Sequence, residues 1–276
     1  MRRLSEVCLV ILFLTGLAVP AMCAENPAVE NFEAADGWIN WERQVLKAVG
    51  HGVLPGDAEN EAQARLMGRA AAIADAYRNL ASVISGVRVS GETLVRNFAT
   101  ESDEVRLKIE GFIRGAQIVS ERQLPDRSFE VILQVPLVGN DGLMSGLASE
   151  VLPGGDQAAR GGGGETTGLI IDARGIGVKP AMSPKVYDED GNEVYGTVKV
   201  SPDYAIEVGI AGYPRSMDQA LKSPRIGAKP LIVKAVRRGP KFATDIILSN
   251  ADAERIRSAD AKSGFLAKCG VSILLR

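Results

Sequence analysis

Histidine and cysteine are nearly missing from this chain of 276 residues: His51 stands alone, and there are three cysteines. A zinc site built from these residue types needs about three or four of them. The composition therefore all but removes that chemistry, together with any catalytic arrangement using a second histidine. A surplus of one charge is missing too. The 32 Lys and Arg residues face 34 Asp and Glu, a formal net charge of -2. Proteins that grip phosphate backbones need a basic surface, so nucleic acid is not an expected partner. Aromatic residues make up 5% of the chain. Trp38 and Trp41 offer the only aromatic platform for a ring-shaped ligand, and their spacing of three suits a helix face or a plain core pair equally. Beyond the first two dozen residues no run approaches the length of a membrane span, which predicts no transmembrane segment in the mature chain. What remains is 46% hydrophobic and 24% charged, a globular composition at a length comfortable for two domains.

The first residues read as an export address. Arg2 and Arg3 precede the apolar run Val7–Val19, which is followed by Pro20, Ala21, Met22, Cys23 and Ala24 and then by polar Glu25 and Asn26. A positive start, a short apolar core and small residues at the end describe a secretory signal peptide. Cleavage after Cys23 or after Ala24 is expected. The alternative is a lipid anchor on Cys23, which normally wants a small residue just before the cysteine; Met22 is not small, so a free mature chain in the periplasm or envelope is the preferred reading. Cys8 and Cys23 then leave with the signal, and Cys269 has no partner for a disulfide; its apolar surroundings predict a buried, inert thiol.

Residues 153–168, PGGDQAARGGGGETTG, resist burial and cost much to order. A phosphate-cradling loop would need Lys and Ser/Thr after its last glycine, whereas Glu165 follows Gly164. The tract reads as a linker. The expected organisation is a signal peptide at 1–24, an α+β domain at 38–140, a glycine-rich linker at 141–166 and a second small α+β domain at 167–276.

In the first domain, Ala62, Leu66, Ala70, Ile73, Tyr77, Leu80, Ala81 and Ile84 recur at helical steps. They predict one long helix, capped at Asp57 and stopped at Gly86, with alanines 62, 70, 74 and 81 allowing close approach to a sheet. Gln44–Leu54 reads as a strand running into a loop. Strict alternation of Phe129, Val131, Leu133, Val135 and Leu137 predicts a strand over 128–137, in a hairpin with 115–124. The stretch 103–113 fits both a strand (Val105, Leu107, Ile109) and a helix (Val105, Ile109, Phe112, Ile113). The helix stretch with Ala72, Asp75, Ala76, Tyr77, Arg78 and Leu80, and the segment with Gly111, Ile113, Gly115 and Ala116, resemble the LPP-twenty lipoprotein family and the N-terminal module of flagellar assembly protein T over about 38–140. That resemblance implies a helix packed on an antiparallel sheet, no active-site residues, and envelope or flagellar proteins as partners.

In the second domain, Leu169–Ile171, Lys185–Tyr187, Glu193–Tyr195, Leu231–Val236, Thr244–Leu248 and Gly270–Leu275 read as strands, and 251–258 as a helix capped by Ser249 or Asn250. Asp188, Asp190, Asn192 and Glu193 crowd Gly191 like calcium ligands, but Lys199 stands where the loop needs its bidentate Glu, so a hairpin turn is expected. Asp172, Arg174 and Lys179 beside a glycine-rich turn are the weak ligand or ion-pair candidates. No catalytic, cofactor or metal residues are assigned. His51, between two glycines, reads as structural. Three functional readings stand: a non-catalytic envelope protein acting through contacts, a periplasmic small-ligand or glycan module with its site between the domains, and an enzyme. The first is preferred.

Overall fold

The computed structural model describes residues 28–32, 35–152 and 163–275. The expected signal peptide with Cys23, and the tract from Pro153 to Gly162, lie outside them. In chain order the elements are β1 (Val29–Phe32), β2 (Gly37–Asn40), β3 (Val45–Gly52), α1 (Glu61–Ser85), α2 (Val95–Glu101), α3 (Asp103–Arg114), β4 (Gln117–Gln123), β5 (Phe129–Pro136) and α4 (Leu143–Val151). They continue with β6 (Gly168–Asp172), β7 (Val186–Tyr187), β8 (Glu193–Tyr195), α5 (Pro202–Val208), α6 (Met217–Leu221), β9 (Pro230–Lys234), β10 (Arg237–Arg238), β11 (Ile246–Ile247), α7 (Asn250–Ser263) and β12 (Val271–Leu274). The fold is α+β: α1 lies on an antiparallel five-stranded sheet, and a C-terminal α/β region with a parallel and a mixed sheet follows.

The first sheet has the order β1-β2-β3-β5-β4 and is antiparallel throughout. The face of α1 turned toward it is made of small residues: Ala64, Gly68, Ala72 and Ala76 are buried, and Leu80, Val83 and Ile84 close the helix end. Opposite them, β3 carries glycine. A Cβ on Gly50 would overlap the backbone of Ala72 and Ala76, and one on Gly52 would overlap Gly68 and Ala72. Helix and strand backbones therefore touch, which only residues without bulk permit. This corrects the expected stripe. Leu66 is 69% exposed, and Ala62 and Ala70 are exposed as well. The periodicity is real, and Leu80 and Ile84 of the expected stripe are buried while Ile73 and Tyr77 pack against the core, but toward the start of the helix the buried face falls on Ala64, Gly68, Ala72 and Ala76. The cap is corrected too: Asn60, not Asp57, accepts a hydrogen bond from the Gln63 N–H at 2.9 Å.

The ambiguous stretch is the helix α3. Ser102 caps it, Asp103 and Glu104 sit in its first turn and Arg114 in its last, as the helix dipole favours. Val105 and Ile109 are buried, while Leu107, which only the strand reading needed, is 58% exposed. The hairpin β4–β5 forms as expected. Within the expected linker 141–166 lies α4, with Leu143, Met144, Leu147 and Val151 buried.

In the C-terminal region β6 is the middle strand of a parallel sheet, flanked by β12 and β9. Strands buried on both faces read as continuous apolar runs, which is why Leu169–Ile171 stood out. The second sheet, β10-β11-β7-β8, has one parallel pairing, β11 with β7. Helix α7 is capped by Ser249, whose hydroxyl accepts from the Asp252 N–H at 3.1 Å. It runs five residues past the expected end and stops at Gly264 in the left-handed conformation, φ 67°.

Candidate functional site

One hydrophobic core runs through both halves of the chain. At the seam Trp41 and Tyr213 meet edge to face, ring centroids 6.0 Å apart. The Met182 and Ser183 N–H groups donate to the Arg88 and Val89 carbonyls at 3.0 and 2.7 Å. Arg88 itself pairs with Glu30 at 2.7 Å and donates to the Pro180 carbonyl at 2.8 Å. The Gln44 side chain donates to the Val208 carbonyl at 3.0 Å. Glu42 takes a hydrogen bond from Gln219 at 2.7 Å and an ion pair from Arg215.

Beside this seam opens a cleft of about 750 Å³, within the size range of small-molecule sites. Glu42 and Gln44 reach it from the first half; Tyr204, Tyr213, Arg225, Lys268 and Ser272 line it from the second. Arg225 is the notable group. It stands between α6 and β9, and its guanidinium donates to the carbonyls of Gly209 at 2.7 Å, Cys269 at 2.9 Å and Val208. No carboxylate among the described residues pairs with it. Burial lowers its pKa from the ordinary arginine value, the direction in which removing water disfavours a charge.

The residues picked out from sequence fall elsewhere. Asp172 and Arg174 do meet at the end of β6, with guanidinium–carboxylate distances of 2.6 and 2.8 Å. The Arg174 hydrogen bond holds the Asp172 carboxyl below the usual range. Lys179 is not drawn into that pair: it is exposed, and its N–H donates to the Ala243 carbonyl at 2.8 Å. Asp188 is buried and works as the turn's organiser. It accepts from the N–H groups of Asp190 and Asn192 at 3.1 and 2.8 Å and pairs with Arg257 on α7 at 2.7 Å. Arg257 first, and the Asn192 hydrogen bonds after it, pull its pKa down from 3.8 to about 2. Gly191 completes the turn at φ 86°.

His51 Nε2 lies 3.2 Å from the Asp36 carboxylate, both half-exposed. Its N–H donates to Asp75 on α1 at 3.0 Å, so the segment has a fixed place on the helix. Cys269 is buried, and desolvation pushes its thiol up to about 11, which makes it a poor nucleophile at neutral pH. Trp38 lies on β2, half-buried, while Trp41 is buried just beyond it, so the two form no common platform. No described helix is long and apolar enough to cross a membrane.

Arg225, Gly212 and Ser272 escaped the sequence reading because they come from three separate segments. Only the parallel placement of β12 against β6, with Gly212 bridged to Ser272, brings them together.

Two comparisons with known proteins bear on the chain. Residues 48–136 match the LPP20 lipoprotein family. Residues 168–276 match the second domain of Treponema pallidum Tp0624. No curated protein matches the chain.

Proposed function

From a chain in which an LPP20 lipoprotein domain is followed by a Tp0624 second domain, we propose an exported protein of the cell envelope that acts through contacts with other proteins and turns over no substrate. The observation that carries this reading is the LPP20 match over 48–136, the segment that supplies α1, β4, β5 and most of β3 to the α1-on-sheet layer. Several features of the geometry support it. The thiol is buried, the lone histidine is an exposed partner of Asp36, and the buried Asp188 serves its own turn and Arg257 on α7. Service in a flagellar or other surface assembly is the finer form of the proposal, and a join between two domains within 141–166 is part of it. Limited proteolysis should then cut first between Leu152 and Thr167, since joins are where nicking concentrates; first cuts inside α1 or β9 would refute the division.

The decisive experiment is affinity capture from crosslinked cells with mass spectrometry of the co-purified proteins. Recovery of envelope or basal-body components supports the proposal. A His51→Ala protein that folds normally yet fails to complement a deletion would overturn it in favour of chemistry. Intact mass of the mature protein settles anchoring: a chain starting at Ala24 or Glu25 is expected, and a diacylglyceryl adduct on Cys23 would make it membrane-anchored instead. The ligand-module reading keeps one specific support, the cleft at the seam.

A further inference from the structure

We propose that the cleft at the seam is a binding site for an organic carboxylate, with the Arg225 guanidinium and the Ser272 hydroxyl taking the carboxylate oxygens where both border the cleft beside Gly212. Three independent features converge there. The first is a cation without a counter-ion. Arg225 spends three of its five N–H donors on the carbonyls of Val208, Gly209 and Cys269. These hydrogen bonds fix the group in place but neutralise nothing. Its Nε–H is still free to donate, and a guanidinium offers Nε–H and an adjacent N–H as a fork that fits a carboxylate.

The second feature is a polar side chain without a partner. Ser272 lies on β12, 1% exposed, and lines the cleft. Its backbone is committed to the sheet through the pairing with β6. Among the described residues its hydroxyl has no hydrogen bond, and it is not one of the sealed unpartnered atoms, which are Trp41 Nε1 and Glu193 Oε1, so it opens to the cleft. A carboxylate oxygen would supply the acceptor.

The third feature is a close approach. Gly212 has no need of glycine for its backbone angles, since it is not among the residues with positive φ. Its N–H and carbonyl are used by β12, toward Val271 and Ile273. What glycine provides is clearance for Arg225. A Cβ placed there would stand 3.1 Å from Arg225 Nε, 3.4 Å from its Cδ and 3.4 Å from Ser272 Oγ, so both donors lie against the Gly212 backbone where the three residues border the cleft. Tyr204, Tyr213 and Pro214 form the wall around it, which suits a ligand with an apolar body rather than a bare inorganic ion. The free acid and the C-terminus of a peptide share this chemistry.

The test is titration of the purified mature protein with succinate, N-acetyl-alanyl-alanine and inorganic phosphate, followed by calorimetry and by the NMR signals of the Arg225 Nε–H and the Gly212 and Ser272 amides. Saturable binding of either carboxylate, with those signals moving, is expected; the tighter of the two tells a free acid from a peptide terminus. Gly212→Ala should press on the Arg225 Nε, displace it from the carboxylate and weaken binding by about tenfold or more, the worth of one charge-assisted hydrogen bond. Ser272→Ala should weaken it less. Arg225→Lys should abolish it, but because Arg225 also ties three loops together, the Gly212 and Ser272 variants, checked for an unchanged melting temperature, carry the test. No saturable binding of either carboxylate in the millimolar range, tighter binding of phosphate, or an unaffected Gly212→Ala would overturn the proposal. Such a failure would leave the envelope reading untouched, since that reading rests on the LPP20 match and is judged by captured proteins.

Discussion

The two halves of the molecule reach a packed interior by different means. In the first, the helix α1 and the strand β3 are pressed together until their backbones meet, alanine and glycine on one side and glycine on the other, with two hydrogen bonds, Asn79 to the Val49 carbonyl and the His51 N–H to Asp75, beside the close-packed strip. In the second, strands are short and loops are long, and polar groups placed inside do much of the fastening. Tyr213 both accepts from the Ala181 N–H at 3.0 Å and donates to the Ala181 carbonyl at 2.8 Å. Tyr195 donates to the Ile210 carbonyl at 2.5 Å, and Asp188 ties its turn to α7. A close-packed interface tolerates no added volume, whereas a hydrogen-bonded one tolerates no lost partner.

That contrast makes opposite substitutions harmful in the two halves. The largest effect belongs to Gly50→Val, which must drive α1 away from β3; it should destabilise the protein by about 3 kcal/mol or more, the upper range of overpacking, read from chemical denaturation. An unchanged midpoint would mean that helix and strand do not touch. Next comes Tyr213→Phe, nearly the same volume but without the hydroxyl. It strands the N–H and carbonyl of Ala181 and should cost about 1–3 kcal/mol in the same assay. If it were neutral, the second half would be held by shape as the strip between α1 and β3 is.

Acid provides a gentler probe. The Asp188 carboxyl titrates at about 2 in the folded chain, against an ordinary 3.8. A depressed carboxylate contributes stability that is present above about pH 4 and is lost as pH falls through the folded value. The urea midpoint should therefore drop between pH 4 and pH 2, and Asp188→Asn should flatten that drop while lowering the midpoint at neutral pH. A parallel acid limb in both proteins would assign the effect to other carboxylates. The smallest effect is expected for Leu66→Gln. The side chain is exposed despite lying on α1, so thermal melting should move by no more than about 0.5 kcal/mol in equivalent stability. A large loss would restore the bulky stripe as the buried face.

Much of the first half was readable in advance for a physical reason. Long helices and half-buried strands impose a period on their sequence, and α1, β3 and the β4–β5 hairpin each carry one. What the period does not fix is its phase near the start of α1, where Ala64, Gly68, Ala72 and Ala76 are buried in place of Ala62, Leu66 and Ala70. The strands β1 and β2 were missed because four residues hold too little pattern, and α4 because its glycines and serines resemble a linker. In the second half β6, β9, β11 and β12 announced themselves as apolar runs and β7 and β8 by the turn between them, but β10, which is Arg237–Arg238, and α5 and α6, at seven and five residues, did not. The cleft was illegible altogether. Nothing in a lone arginine between Pro224 and Ile226 tells that Gly212 and Ser272 will stand beside it.

The placement of β6 also constrains how this chain can be made. The strand lies between β9 and β12, so Gly168–Asp172 has no finished neighbour until Pro230–Lys234 has been synthesised, and its other edge stays open until Val271–Leu274 emerges. Local contacts can assemble the α1 layer while the rest is still being synthesised, but a parallel sheet with distant partners closes late. In the interval the apolar run Leu169–Ile171 is an unpaired edge of the kind that aggregates. Chains cut short before Val271 should therefore be lost to proteases or chaperones even though every element of the first half is complete.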